Sequence, residues 1–179
     1  PVVSRSFASA FEGGISLFEY AQKLVELPRG LFGAVLAMVI FPRLSRDFSE
    51  GNMTEGTNLI SQSAGLILLI SIPVTVAVYG CAEPVVSLLF ERGKFSATDA
   101  ANTAQLLQIA ILSMPALILS ILTMNVFYAK HETIIPFKLS LVSLLVLVVL
   151  SIMLRNSMGI SGVMLAFVIS SWFHFMSLT

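Results

Sequence analysis

The most constraining feature of this chain is a series of apolar runs long enough to cross a lipid bilayer. The stretches 65–79 and 139–154, for example, contain no charged residue. Apolar spans in lipid must pair their backbone polar groups internally, so they form helices or closed barrels. Barrel strands alternate apolar and polar residues over about ten positions. These runs are apolar on most faces over about 17–25 residues. The pattern therefore predicts an all-α, polytopic transmembrane helix bundle.

Composition agrees with a membrane environment. Hydrophobic residues make up 56% of the 179 residues and charged residues only 11%, whereas soluble domains are about 25% charged. The mean hydropathy is +0.93. The formal net charge of zero gives no support for a nucleic-acid partner. Cys81 is the only cysteine, which excludes an intrachain disulfide and a cysteine metal cluster.

The apolar runs predict about six transmembrane helices in a single region covering residues 1–179. Pro28 and Gly30 are expected to separate the first two helices, and Pro115 is expected to kink the fourth. Basic residues are shared evenly between the two sets of loops, so the positive-inside rule gives no orientation. Because the chain opens inside an apparent helix, we expect a fragment of a longer protein. The predicted helices are Val3–Glu26, Leu31–Leu44, Thr57–Tyr79, Thr98–Ala129, Phe137–Leu154 and Ile160–Leu178, with a turn at Arg155–Gly159 before the last.

A row of polar side chains along the first predicted helix is the main functional signal. Its members recur at alternating spacings of four and three and fall within about a third of the helix circumference. Charges at membrane depth are costly and normally face a bundle interior or a water-filled cavity. The row therefore predicts a helix that lines a transport pathway. This polar stripe consists of Arg5, Ser9, Glu12, Ser16, Glu19, Lys23 and Glu26.

Two alternative interpretations of the polar stripe remain open at this point. An amphipathic helix lying on the membrane surface has a similar pattern. Polar partners elsewhere in the bundle could also satisfy the stripe without any transport role.

Nothing in the sequence predicts an enzyme, a cofactor site or a metal site. Glu12 and Glu19 lie two helical turns apart, too far for acid–base catalysis across one bond. His131 and His174 have no partner at ligand spacing, and we expect Trp172 and His174 to mark the membrane interface. No phosphate-binding glycine loop or catalytic triad pattern is present.

Several short motifs resemble the MurJ/MviN family of lipid II flippases, in the MOP flippase/exporter superfamily. They occur in the family's order and cover nearly all of the chain. The first block is Ala8-Ser9, Gly13, Ser16, Tyr20-Ala21, Lys23-Leu24, Leu27-Pro28, Gly30-Leu31-Phe32-Gly33, Pro42 and Leu44-Ser45-Arg46. The second is Ala82-Glu83-Pro84, Leu89 to Ser96 and Asp99. The third is Phe127-Tyr128-Ala129, Glu132-Thr133, Pro136 and Lys138, followed by the turn residues Gly159 to Gly162.

This resemblance implies that the chain corresponds to transmembrane helices seven to twelve of a two-lobed transporter with about fourteen. Such a transporter would flip undecaprenyl-diphosphate-linked peptidoglycan precursor, lipid II, across the bacterial inner membrane by alternating access. The implied partners are the lipid-linked diphosphate, membrane lipids and the remaining helices of the same transporter.

The resemblance also suggests roles for individual residues. Lys23 stands where the family often has arginine and would contact the diphosphate, with Arg5 and Arg29 as secondary candidates. Lysine retains the charge but not the two-pronged geometry of arginine. The other cavity-lining candidates are Glu12, Ser16 and Glu19.

Some members of the family hold a sodium ion between acids or amides on the first and fifth helices. The matching positions here are Ser4 and Ser151, and the predicted fifth helix has no acid or amide, so we expect no such site.

Other functions are compatible with the same sequence. One is a related transporter of the superfamily, such as an O-antigen or polysaccharide flippase or a drug/cation antiporter. Another is a non-transporting membrane scaffold in envelope assembly.

Overall fold

The structure, a computed structural model, describes residues 14–90 and 97–179 and is helical almost throughout these ranges. The all-α fold class is confirmed, and the described part of the chain contains no strand. The helices are α1 (Gly14–Val35), a π-helical turn (Leu36–Ile40), α2 (Phe41–Ser49), α3 (Met53–Gly80), α4 (Ala82–Phe90), α5 (Ala97–Ile111), α6 (Met114–Ala129) and α7 (Ile134–Leu178).

The first helix is longer than the sequence predicts. A continuous helix of 34 residues, Ser16–Ser49, passes through Pro28 and Gly30, so the predicted break between two helices there is wrong. Proline is tolerated inside membrane helices when the surroundings satisfy the freed backbone groups. The irregularity falls further along, where the Phe41 N–H bonds the Leu36 carbonyl five residues back. Pro42, which follows at once, has no N–H to continue the α-helical pattern.

Helix α3 packs one narrow face of mostly small side chains against the bundle. Ser63, Ile67, Ser71 and Thr75 recur every fourth residue and are buried, while Pro73 is exposed on the opposite side. Small residues let membrane helices approach closely. The Thr75 hydroxyl lies 4.0 Å from the sulfur of Met114 at the start of α6. Pro73 therefore lies inside an intact helix, which agrees with the predicted helix Thr57–Tyr79.

The fourth predicted span is broken near its middle. Helices α5 and α6 meet at an angle of 42°, with Pro115 in the first turn of α6, which confirms the predicted kink. The Leu112 carbonyl at the break accepts a hydrogen bond from Trp172 Nε1 at 3.0 Å. The Ser113 hydroxyl donates to the Ala110 carbonyl at 2.7 Å. Trp172 therefore supports the backbone at the break between α5 and α6.

Helix α7 is a hairpin of two arms. Gly159 has φ 60° and ψ −136°, a conformation outside the helical region that separates residues 134–158 from 160–178. The predicted turn ending at Gly159 is thereby confirmed. The arms run side by side, because the Ser170 hydroxyl donates to the Ser143 carbonyl at 2.8 Å.

These helices form a membrane protein. Three of them, Ser16–Ser49, Met53–Gly80 and Ile134–Leu178, are long and apolar enough to cross a bilayer, and the bent α5–α6 pair is a fourth candidate. The largest fully buried side chains are concentrated on α5 and α6 and include Leu107, Ile111, Met114 and Ile118. The bent pair is therefore the centre against which α1, α3 and α7 pack.

The close approach of the α7 arms at Gly162 is testable. A Cβ at Gly162 would overlap the backbone carbonyl of Leu154, which has no free rotation to move away. We expect Gly162→Ala to lower the free energy of unfolding by about 1–3 kcal/mol, as at other overpacked positions. Unfolding of the purified protein in detergent would measure the change. Gly65→Ala is the matched control, since a Cβ at Gly65 meets nothing within 4 Å. Equal effects of the two substitutions would contradict the packing argument.

Candidate functional site

Helix α1 has a buried face that holds it against the bundle. Phe18, Ala21, Gln22 and Val25 follow the spacing of one helical face and are all buried, with Phe18 and Ala21 fully so. This face packs mainly against α5. The contact sets the rotation of α1 and so determines where its other side chains lie.

The polar stripe lies on a different face of α1. Ser16, Lys23 and Glu26 are exposed, and Glu19 is half-buried and has a polar contact. The remaining members, Arg5, Ser9 and Glu12, fall outside the described residues. A charged face turned away from the bundle of an apolar chain requires water or further protein beside it, because lipid solvates charges poorly.

Aromatic contacts position the lysine of the stripe. The Lys23 Nζ lies 5.8 Å from the centroid of the Tyr20 ring one turn earlier. The Tyr20 ring in turn lies 4.7 Å from the Phe90 ring, at the end of α4. An exposed cation–π contact contributes only about 0.5–1 kcal/mol, so an anion could draw the ammonium group away from the ring. Lys23 is thus an exposed cation on a helix whose rotation is fixed.

A second polar row on α1 borders a cavity of about 180 Å³ between α1, α5, α6 and the second arm of α7. Gln22, Glu26 and Arg29 line it from α1, spaced by four and three residues. Arg29, a secondary candidate for cargo contact, is half-buried and belongs to this cavity. The structure therefore places Lys23 on the exposed face of α1 and Arg29 in the adjacent cavity.

Gln22 is the residue of this site that sequence reasoning missed. Only 9% of its surface is exposed, and its Nε2 has no hydrogen-bond partner among the described residues. A buried unsatisfied polar group costs about 1–3 kcal/mol. The sequence did contain an indication of this site, since Gln22, Glu26 and Arg29 are spaced by four and three residues and so share one helix face.

Comparison with known proteins identifies the chain's family. The family described as "Lipid II flippase MurJ" matches residues 1–179, the whole chain. This chain belongs to the MurJ family. The resemblance carried by the ordered motifs is therefore confirmed.

Two curated relatives illustrate the similarity. A probable lipid II flippase MurJ of Rhizobium meliloti (strain 1021) is 33% identical over 171 residues, which is 96% of this chain and 32% of the relative. A probable lipid II flippase MurJ of Bdellovibrio bacteriovorus is 33% identical over 172 residues, 95% of this chain and 33% of the relative. The chain thus spans about a third of the length of these MurJ relatives.

A solved structure shares the fold. The lipid II flippase MurJ in an inward closed conformation matches with a TM-score of 0.89 at 25% identity. The match covers 99% of this chain and 38% of that protein. The arrangement of helices described above is therefore shared with part of that MurJ structure. The roles of Lys23 and the other stripe residues stay predictions.

The exposure of the polar stripe can be tested by thiol labelling. In the full-length MurJ-family protein without other cysteines, with Cys81→Ser, we expect Ser16→Cys and Lys23→Cys to react with a membrane-impermeant thiol reagent. Phe18→Cys and Val25→Cys are the matched controls, and their burial against α5 predicts protection. Protection of all four positions would show that the stripe is covered or faces lipid, and it would remove the transport-pathway interpretation.

The destabilising effect of the buried Gln22 amide can be tested with two glutamine-to-leucine substitutions. They should change the free energy of unfolding in opposite directions. Gln22→Leu should raise the free energy of unfolding by about 1–3 kcal/mol, because it removes a buried unsatisfied group. Gln108→Leu should lower it by about 0.5–1.5 kcal/mol, because Gln108 Nε2 donates to the Tyr79 carbonyl at 3.2 Å. That carbonyl is one of the last four of α3, which have no partner within their own helix. Changes of the same sign would contradict this assignment.

Proposed function

We propose that this chain acts in flipping undecaprenyl-diphosphate-linked peptidoglycan precursor, lipid II, across the bacterial inner membrane by alternating access. The observation that carries the proposal is the exposed polar stripe with Lys23 on α1, in a chain that belongs to the MurJ family. The process requires binding and release of the cargo, with no covalent bond made or broken.

The charge of the cargo explains why cations line the pathway. A diphosphate cannot enter the hydrocarbon core without compensation, because ionised groups are poorly solvated there. Lysine ammonium groups bind phosphates as point charges with rotatable donors. Lys23 supplies such a charge, and the acids Glu19 and Glu26 beside it keep the stripe hydrated and the bound anion exchangeable. In this proposal, Lys23 contacts the diphosphate while Ser16 and Glu19 line the path.

The apolar part of the cargo requires a different surface. Large hydrophobic side chains are exposed on α3 and on the first arm of α7, including Leu66, Leu69, Leu145 and Val149. Such faces suit the lipid phase, so a prenyl tail can stay in the bilayer while its headgroup moves along the polar stripe. The membrane lipids and the remaining helices of the same transporter are the other partners, and the latter would complete the wall opposite the stripe.

Alternating access requires helices that bend at defined places. The π-helical turn Leu36–Ile40 interrupts the long first helix, and π-helical turns are frequent at functional sites. The break between α5 and α6 is the second irregular point. Bending at either place would change which end of the stripe is open. The chain would cross the inner membrane several times, with Lys23 within the membrane.

Complementation tests the proposed function directly. The full-length protein would be expressed in a strain depleted of its own peptidoglycan-precursor flippase, together with Lys23→Ala and Lys23→Arg variants at equal level. We expect rescue by the wild type and by Lys23→Arg, which retains the charge. With Lys23→Ala we expect reduced plating efficiency, because the loss of a charge-assisted contact of about 1.5–3 kcal/mol lowers the affinity for the cargo about tenfold or more.

Lys138→Ala is the matched control, because Lys138 is an exposed lysine on α7, away from the stripe. It should rescue as well as the wild type. Failure of well-expressed wild-type protein would contradict the flippase function. Rescue by all three Lys23 forms would instead retain that function and remove Lys23 as a required contact.

A further inference from the structure

The α7 hairpin contains a hydrogen-bonded polar cluster that the proposed function does not use. His174, on the second arm, places Nδ1 3.0 Å from the hydroxyl oxygen of Ser143 on the first arm. The same hydroxyl lies 2.9 Å from the carbonyl oxygen of Leu139. Both arms belong to a helix pair that is apolar enough to cross a membrane. Ionisable side chains in such segments are rare and commonly functional.

The number of protons in this cluster determines the form of the imidazole. The Ser143 hydroxyl has one proton and can donate it either to Leu139 or to His174. Both contacts become hydrogen bonds only if Nδ1 carries a proton and donates to the Ser143 oxygen, which then donates to Leu139. The neutral histidine is therefore the Nδ1–H form, and its Nε2 is left with a lone pair that can accept a proton.

The other hydroxyl groups near His174 are already satisfied within the protein. They line a cavity of about 200 Å³ together with apolar side chains. Ser140 donates to the Pro136 carbonyl at 2.8 Å and Ser171 to the Phe167 carbonyl at 2.8 Å. Among the described residues, no charged side chain lines this cavity. A ligand that needs several free donors has none here, whereas a proton needs only the imidazole.

Charged groups approach the cluster from one side. Glu26 and Arg29 of α1 line the adjacent cavity, and both cavities share Leu117 and Phe167 as a common wall. The other titratable or charged groups on elements packed against α7 line neither cavity in the part of the chain described. They are Asp99 on α5, Tyr128 on α6, and Glu19, Tyr20 and Lys23 on α1, with Lys138 and Arg155 on α7 itself. Two apolar side chains thus separate the α1 cavity from the histidine cavity.

We propose that His174 is a proton-binding site within the membrane, held in its Nδ1–H form by Ser143 and separated from the α1 cavity only by Leu117 and Phe167. On binding, Nε2 gains the proton of a hydronium ion, whose O–H bond breaks to leave water. The imidazolium keeps both hydrogen bonds of the cluster, so the hairpin need not rearrange to hold the charge. This inference goes beyond the proposed function, which requires no proton.

Nitrogen NMR of histidine-labelled full-length protein in lipid nanodiscs tests the proposal without any cargo. His174→Gln assigns the signals, and His131→Gln is the matched control, since His131 is exposed in the turn after α6. We expect His174 to be mainly the Nδ1–H form at high pH, in about two- to tenfold excess over the other neutral form, because it makes one additional hydrogen bond. Lowering the pH should convert it reversibly to imidazolium.

Two serine substitutions separate this role from a structural one. Ser143→Ala removes the oxygen that accepts from Nδ1, so both neutral forms should be populated and protonation should require a lower pH. Ser140 lines the same cavity, but its hydroxyl bonds only the Pro136 carbonyl within its own arm. Ser140→Ala should therefore leave the His174 signals unchanged. His174 signals that stay neutral over the whole pH range in which the protein remains folded would overturn the proposal. Because no cargo is present, failure here leaves the flippase function untouched.

Discussion

The interaction on which this structure depends is the internal pairing of backbone polar groups where no water can replace a missing partner. Two breaks in the helices show how the pairing is restored. At the break between α5 and α6, the Leu112 carbonyl receives its hydrogen bond from Trp172, sixty residues away. At the end of α3, the Gln108 side chain donates a hydrogen bond to the Tyr79 carbonyl. In lipid each such bond replaces a costly unsatisfied group, so side chains distant in sequence hold the helix breaks in place.

The same poor solvation of polar groups accounts for the arrangement of charges on α1. Apolar side chains such as Phe18 and Val25 turn inward against α5, and Ser16 and Lys23 are left on a face that the described bundle does not cover. Gln22 lies between these faces, buried and with an unsatisfied Nε2 among the described residues. Such a buried group lowers the stability of the fold, so Gln22 is a candidate for a role other than stabilising the bundle. Burial of the apolar face therefore fixes the rotation of α1, and that rotation leaves the charges on the opposite side of the helix from the core.

Much of the fold could be predicted from sequence, because the thickness and apolar character of the bilayer set the length and composition of each spanning helix. The kink near Pro115 and the turn at Gly159 were predicted from residue type, since neither proline nor a positive-φ glycine continues a helix without change. The predicted break at Pro28 and Gly30 also rested on residue type alone, and it was wrong because the helix continues through both residues. A proline interrupts one hydrogen bond, but only the surrounding helices decide whether the chain then turns or continues.

The sequence by itself determined that this chain is a helical membrane protein with a polar stripe on its first helix, because periodicity and hydropathy are local properties. Its ordered motifs also indicated the MurJ family. Only the tertiary structure decided that Gln22 and Arg29 border a cavity distinct from Lys23, and that His174 bonds Ser143. These contacts join helices whose relative rotation and depth depend on packing across the whole bundle, and no spacing within one helix encodes them.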